Sequence, residues 1–347
     1  MRTGSAINFA CVVGFCVAAT TTWGGVGGVS HRITLPSGRG WPAVVKFASD
    51  RLVLLYWKST RFHRPGDNEV VVLDRDGCEL FARHPGLDVP SSFLSDLWVA
   101  VIYDATLGEN GVLTVSIALV DTANRAVPAL MEYDVARDRL LRITSTYPAR
   151  CREIAADGEN VWCLGANDES VRRGDMAYDV LNCFAPSGEI VQSLFPRSGF
   201  SCDPFRWRGR TRPQLAGSHG EFAAWLPGGD ALLRWQSGGR NARQLTIVPP
   251  SPEDSAIGDT LVMFPGGRLV GLLAMGHRGG ELSGPVRTPY GLNDAGMFSP
   301  LSSWSEVSVR DVPAGTDGDD LVVYCPWTQT IEWLNLVNLP GTPPTEE

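Results

Sequence analysis

The sequence predicts an all-β protein, and three observations support this fold class. The 347 residues include 38 glycines and 24 prolines, a content that favours frequent turns over long helices. Short apolar runs rich in Val, Leu, Ile, Trp and Tyr recur between turn residues, and no stretch keeps an amphipathic helical pattern for three turns. Apolar residues make up 44% and charged residues 20%, so the composition is that of a folded globular protein.

The N-terminal segment predicts export. Residues 1–23 carry a single charge, Arg2, followed by an apolar run over residues 7–19 that ends in small residues. This pattern is typical of a secretory signal peptide, and the run is too short to span a bilayer comfortably. We therefore expect residues 1–23 to hold the signal peptide and the mature N-terminal tail. The expected location is secreted or periplasmic, without stable membrane insertion after cleavage. A buried N-terminal strand is the alternative.

Six apolar runs are clear strand predictions. They lie at residues 52–57, 70–73, 98–103, 113–120, 261–264 and 321–324. Two hairpins formed by such strands are alike, because the turns at 74–77 and 185–188 both place glycine at the fourth position. Weaker copies place further turn centres near residues 137 and 238, and another hairpin precedes each copy. The chain therefore repeats four strands about every 50 residues, which is the period of a β-propeller blade.

One repeat also resembles a known family. The segment 155–162 followed by 184–190 resembles the blade of six-bladed β-propellers of the NHL and TolB-like type. This resemblance implies a six-bladed β-propeller with four antiparallel strands per blade, and it implies no particular activity. We expect residues 31–340 to form this single domain and residues 341–347 to form a flexible C-terminal tail. The last repeat lacks its outer strand, so we expect the isolated strand at 32–35 to complete that blade and close the ring.

The cysteines predict disulfide bonds. Removal of the signal peptide leaves six cysteines, and an even number in an exported chain is typical of disulfide pairing. Cys151 and Cys163 flank a turn at residues 156–158. A three-residue loop there would pair Ala155 with Glu159 and place the two cysteines directly opposite each other, within bonding distance. We predict this bond, and two free buried thiols are the alternative.

Catalytic and metal-binding patterns are not found in the sequence. The five histidines have no metal-binding spacing, and no Gly-x-Ser-x-Gly elbow occurs. We therefore predict no catalytic residue, no metal-ligating residue and no cofactor. Calcium at the acidic turns 74–76 and 317–320 stays open, although aspartate also favours turns for backbone reasons. The formal charge of −8 disfavours nucleic acid as a partner.

Irregular segments supply the candidate binding residues. Trp207, Arg208 and Arg210 lie in an arginine-aromatic loop that could meet an anionic or carbohydrate partner. His277 and Trp304 lie in the longest irregular region, residues 276–304. Trp327 also lies in an irregular segment, where an exposed indole could stack on a sugar or anchor a partner.

Two functions follow from these patterns. The first is an exported binding or scaffolding module for an unknown protein or carbohydrate. The alternative is a metal-dependent propeller hydrolase or lyase that acts on lactones or sugars. Convergent carboxylates with a divalent ion at one mouth of the channel would favour the alternative.

Overall fold

The structure is a computed structural model. It describes residues 29–58, 63–205, 213–226, 231–246, 255–276, 286–292, 298–300, 307–308 and 311–335. The strands in these residues form antiparallel sheets, which we number 1 to 6 in chain order. The described part of the chain contains one α-helix, α1 (Asp168–Arg173), and short 3₁₀ turns. No helix in these residues has the length and apolar character needed to cross a membrane.

Sheets 1 to 3 each contain four strands that follow one another along the chain. Sheet 1 contains β2 (Val44–Ala48), β3 (Arg51–Trp57), β4 (Asn68–Leu73) and β5 (Glu79–Arg83). Sheet 2 contains β6 (Leu97–Leu107), β7 (Val112–Asp121), β8 (Ala126–Asp134) and β9 (Arg139–Ser145). Sheet 3 contains β10 (Ala149–Asp157), β11 (Asn160–Asn167), β12 (Asp179–Phe184) and β13 (Ile190–Pro196).

Sheets 4 to 6 vary this plan. Sheet 4 contains β14 (Gln214–Ser218), β15 (Glu221–Leu226), β16 (Ala231–Gln236) and β17 (Arg240–Thr246). Sheet 5 has five strands, β18 (Ser255–Phe264), β19 (Arg268–Gly276), β20 (Val286–Leu292), β21 (Phe298–Pro300) and β22 (Val307–Ser308). Sheet 6 contains β23 (Val312–Asp317), β24 (Asp320–Cys325), β25 (Thr330–Asn335) and β1 (Val29–Thr34).

The four-stranded sheets are blades of a β-propeller. The first strand of each sheet contacts the first strand of the next, in the order β2, β6, β10, β14, β18, β23 and back to β2. Every hydrophobic cluster in the described residues lies between two neighbouring sheets. In β3, for example, Leu52 and Leu54 pack against sheet 6, whereas Val53 and Leu55 pack against sheet 2. This alternation explains the continuous apolar runs, because both faces of a blade are buried.

The strand β1 completes sheet 6. It pairs antiparallel with β25, from Thr34 opposite Thr330 to Val29 opposite Leu334. Within β1, the side chain of Ile33 is buried in the cluster between sheets 6 and 1. The predicted pairing of an N-terminal strand with the last hairpin is therefore confirmed.

The predicted disulfide bond is present, but the predicted register was wrong. Cys151 and Cys163 are bonded, with their Cα atoms 5.0 Å apart. The hairpin between β10 and β11 pairs Asp157 with Asn160 around a two-residue turn, instead of the predicted three-residue loop. The cysteines are consequently not opposite each other.

A β-bulge brings the two cysteines together. The pairing between β10 and β11 shifts between residues 151 and 153, which leaves Cys151 opposite Gly165. At Gly165 a Cβ atom would lie 1.8 Å from the carbonyl oxygen of Arg150. Glycine therefore lets the strands approach at the bulge, and the bond forms diagonally across it.

The prediction of further disulfides was wrong for the described cysteines. Cys78 and Cys202 are exposed free thiols, Cys183 is buried and Cys325 is partly buried. Burial raises the pKa of the Cys183 thiol to about 12, and it raises the pKa of Cys325 similarly, to about 12. Both protected thiols lie on strands, where they pack as small apolar side chains.

Candidate functional site

The residues predicted as binding candidates lie outside the described residues. These are Trp207, Arg208, Arg210, His277 and Trp304. The signal segment 1–23 and the tail 341–347 lie outside them as well.

The acidic turns at which calcium was left open are held by protein partners. Asp317 accepts a hydrogen bond from the Trp333 indole at 3.0 Å and pairs with Arg75 at 3.0 Å. In the other turn, Asp74 accepts from the backbone N–H groups of Asp76 and Cys78. Among the described residues, no group of three or more His, Cys, Asp or Glu side chains is arranged to hold a metal ion. Turn formation and blade contacts thus account for these carboxylates.

Three charged side chains meet on the innermost strands of sheets 1, 2 and 3. The Lys46 ammonium lies 2.5 Å from Asp104 Oδ2 and 3.7 Å from Glu153 Oε2. The same Asp104 oxygen accepts a hydrogen bond of 2.8 Å from the backbone N–H of Ile154. Asp104 is 1% exposed. This cluster connects three blades, and Lys46 supplies the positive charge that pairs with its two carboxylates.

Four exposed tryptophans lie at one end of the propeller. First strands begin at this end and second strands finish there, because neighbouring strands are antiparallel. Trp41 precedes β2, Trp98 lies near the start of β6, Trp57 ends β3, and Trp327 follows β24. Their exposed fractions are 63% for Trp41, 51% for Trp98, 39% for Trp57 and 66% for Trp327. We call these four residues the tryptophan arc.

The arc crosses the boundary between sheets 6 and 1. The ring centroids of Trp41 and Trp327 lie 6.3 Å apart, with 62° between the ring planes. Each residue is next to a proline, Pro42 or Pro326. A proline fixes its own φ and restricts the residue before it, so the backbone beside each indole is stiff.

The arc continues towards sheet 2. Trp57 is paired with Asn68, whose amide nitrogen donates to the carbonyl oxygen of Ala100 at 2.5 Å. Ala100 lies two residues after Trp98 on β6. Trp57 and Trp98 therefore stand on either side of a hydrogen-bonded junction between two blades.

The remaining described tryptophans have a different role. Trp162, Trp225, Trp235 and Trp333 are buried and lie within the strands β11, β15, β16 and β25. Trp162 and Trp235 contact each other across sheets 3 and 4, with ring centroids 5.5 Å apart. Burial between blades explains these four side chains, whereas it does not explain the arc.

The sequence identified only part of the arc. Trp327 was a candidate for an exposed binding indole because it lies in an irregular segment. Trp57 and Trp98 fall at the ends of apolar runs and were counted as strand residues. The missed signal is their position, because a tryptophan at a strand end can project past the edge of the blade.

Comparisons with known proteins identify no family. No family model matches the chain, and no curated protein matches it. A solved member of the duf4221 family from Bacteroides vulgatus is 7% identical, with a TM-score of 0.48, and the match covers 90% of this chain and 98% of that one. A luciferin-regenerating enzyme is 12% identical, with a TM-score of 0.46 and the same coverage of 90% and 98%. A protein of unknown function from Bacteroides caccae is 12% identical, with a TM-score of 0.44 and coverage of 80% and 85%. With TM-scores below 0.5 these likenesses carry no functional argument, and the β-propeller fold rests on the strand pairing described above.

Proposed function

We propose that this protein is an exported binding module that holds a protein or a glycan at the tryptophan arc. The observation that carries the proposal is the gathering of four exposed indoles at one end of a rigid β-propeller. Tryptophan is enriched at binding surfaces, and exposing large aromatic rings to water is unfavourable without a ligand to cover them. Loops held by a stiff scaffold are where binding residues usually lie.

The same proposal includes six blades of the NHL and TolB-like type. Sheet 5 supports this count, because β21 pairs with residues 290–292 of β20 whereas β22 pairs with residues 286–287. Two short strands on consecutive parts of β20 fit one interrupted outer strand. The contacts between first strands, which return from β23 to β2, support a closed ring of six blades. Residues 31–340 would then be a single domain.

Export is supported by two observations. The bond between Cys151 and Cys163 is of the kind that persists in oxidising compartments. Residues 1–23 have the pattern of a signal peptide. Together, the two observations support a secreted or periplasmic location.

The alternative, a metal-dependent hydrolase or lyase, has less support. Its carboxylates would converge from inner strands, as Asp104 and Glu153 do. Lys46 already supplies the positive charge between them, at 2.5 Å and 3.7 Å. Metal analysis of the purified protein, with thermal melting in the presence and absence of chelator, separates the two functions. Stoichiometric metal and a chelator-dependent melting temperature would support the enzyme.

A capture experiment tests the binding function. Immobilised protein is incubated with an envelope extract from the source cells, and retained proteins and glycans are both analysed. We expect the double variant Trp41→Ala/Trp327→Ala to lose a component that the natural protein retains. The control is Tyr147→Ala, which removes an aromatic side chain that is 48% exposed and lies outside the arc. Equal retention by the double variant would contradict the proposal.

A further inference from the structure

The exposed surface of the arc consists of flat aromatic rings with polar edges. The planes of Trp41 and Trp327 are inclined by 62°, so neither ring stacks on the other. Both side chains are about two-thirds exposed. An indole combines an apolar face with an N–H group at its edge, and it suits a ligand with the same two kinds of surface.

The area of the arc favours a ligand smaller than a folded protein. The exposed fractions of Trp41, Trp57, Trp98 and Trp327 correspond to about two whole indoles. On the scale of ~250 Å² for a large aromatic side chain, this is roughly 500 Å². A standard protein interface covers about 800 Å² on each partner. The aromatic surface of the arc is therefore smaller than one side of a standard protein interface.

The charges beside the arc favour an uncharged ligand. Lys58, which follows Trp57, lies 4.0 Å from Asp67. Arg39, two residues before Trp41, pairs with Glu69 at 3.1 Å and with Glu79 at 2.5 Å. These carboxylates pair with both of these cations, which weakens their attraction for an anionic ligand.

We propose that the tryptophan arc binds a neutral oligosaccharide, with sugar rings stacked on Trp41 and Trp327. A pyranose ring has apolar C–H faces and a rim of hydroxyl groups, which matches an indole platform bordered by polar side chains. The arc extends over sheets 6, 1 and 2, so it fits a chain of several sugars better than a single sugar. This inference rests on the proposed binding function and names its ligand class.

Titration with defined sugars tests the ligand class. Cellohexaose, xylohexaose and mannohexaose are titrated by calorimetry and by tryptophan fluorescence, and soluble β-glucan, xylan and galactomannan are tested by affinity electrophoresis. We expect at least one of these probes to bind. Trp41→Ala and Trp327→Ala should each weaken binding about tenfold or more, the change that ~1.4 kcal/mol produces. Trp327→Phe keeps an aromatic face and should lose less.

Two controls accompany the titration. Tyr147→Ala should bind the sugars as the natural protein does. Circular dichroism and thermal melting of each alanine variant should match the natural protein, because the replaced indoles are largely exposed. If binding is lost while folding is unchanged, the loss is caused by removal of the indoles of the arc.

The outcomes separate the two proposals. Binding of none of the six probes would overturn the oligosaccharide inference. If the envelope extract still supplied a protein whose capture required Trp41 and Trp327, the binding function would stand with a protein ligand. Sugar binding that is unchanged in the Trp41→Ala/Trp327→Ala variant would also overturn the inference, because the site would lie elsewhere.

Discussion

Replacement of Lys46 by methionine is expected to destabilise the propeller strongly. The ammonium group lies 2.5 Å from Asp104 and 3.7 Å from Glu153, and these two side chains are 1% and 9% exposed. Methionine has a similar length and keeps the apolar contacts of the lysine stem, so the change removes mainly the charge. Two buried carboxylates would then lose the Lys46 charge, and removal of one partner of a buried ion pair typically costs 3–5 kcal/mol.

The expected magnitude is at the lower end of that range. The Lys46 side chain is 22% exposed, so water partly replaces the lost ammonium. We expect a loss of about 3 kcal/mol in the free energy of unfolding, or roughly 6 °C in melting temperature for a domain of this size. Urea unfolding followed by tryptophan fluorescence measures it directly.

A second variant separates charge from packing. In the double variant Lys46→Met/Asp104→Asn, the introduced amide oxygen can still accept the hydrogen bond from the Ile154 N–H, so this variant should recover part of the loss. The matched control is Lys58→Met, whose partner lies 4.0 Å away and whose side chain is 66% exposed. It should change stability by less than about 0.5 kcal/mol. The reasoning fails if Lys46→Met is as stable as the natural protein, or if the double variant is no more stable than Lys46→Met.

Three further changes test the fold. Deletion of residues 30–36 should lower the melting temperature of the whole ring by many degrees. The deletion removes the hydrogen bonds between β1 and β25, each of which contributes ~0.5–1.5 kcal/mol. A change of only one or two degrees would refute closure by β1. Replacement of Cys151 and Cys163 by serine should cost about 3 kcal/mol of stability, and non-reducing peptide mapping of the natural protein should recover the two as one linked peptide pair. At pH 8 iodoacetamide should modify exposed Cys78 within minutes and leave Cys183 intact until denaturant is added, because burial raises the pKa of Cys183 to about 12; equal rates in the native protein would contradict this.

Local patterns account for the parts of the fold that the sequence predicted. The turns at 74–77 and 185–188 depend on residues within the turn, and both glycines adopt a positive φ, 85° at Gly77 and 88° at Gly188. The continuous apolar runs reflect blades covered on both sides, which is a property of each strand. The closing strand was predictable because the last repeat lacks its outer strand. The strand at residues 32–35 belongs to no repeat of its own, so it can supply the missing one.

Features that depend on several strands were not predictable in the same way. The bulge at residue 152 results from how β10 meets β11 at Gly165, so the correct disulfide was predicted from an incorrect register. The cluster of Lys46, Asp104 and Glu153 needs three blades in place, since its members are about 50 residues apart in the chain. The exposure of Trp57 likewise depends on where the neighbouring blade ends.

The pairing of β1 with β25 imposes an order on synthesis and folding. β1 leaves the ribosome early, but its partner is made only after some three hundred further residues. Until then the outer edge of sheet 6 does not exist, and β1 carries unpaired backbone groups that other strands can capture. Completion of the ring is therefore a late, non-local step, slow for the same reason that high contact order slows folding. A circular permutant that places β1 directly after β25 would turn this step into local hairpin formation. The same blade would then form between strands that are adjacent in the chain.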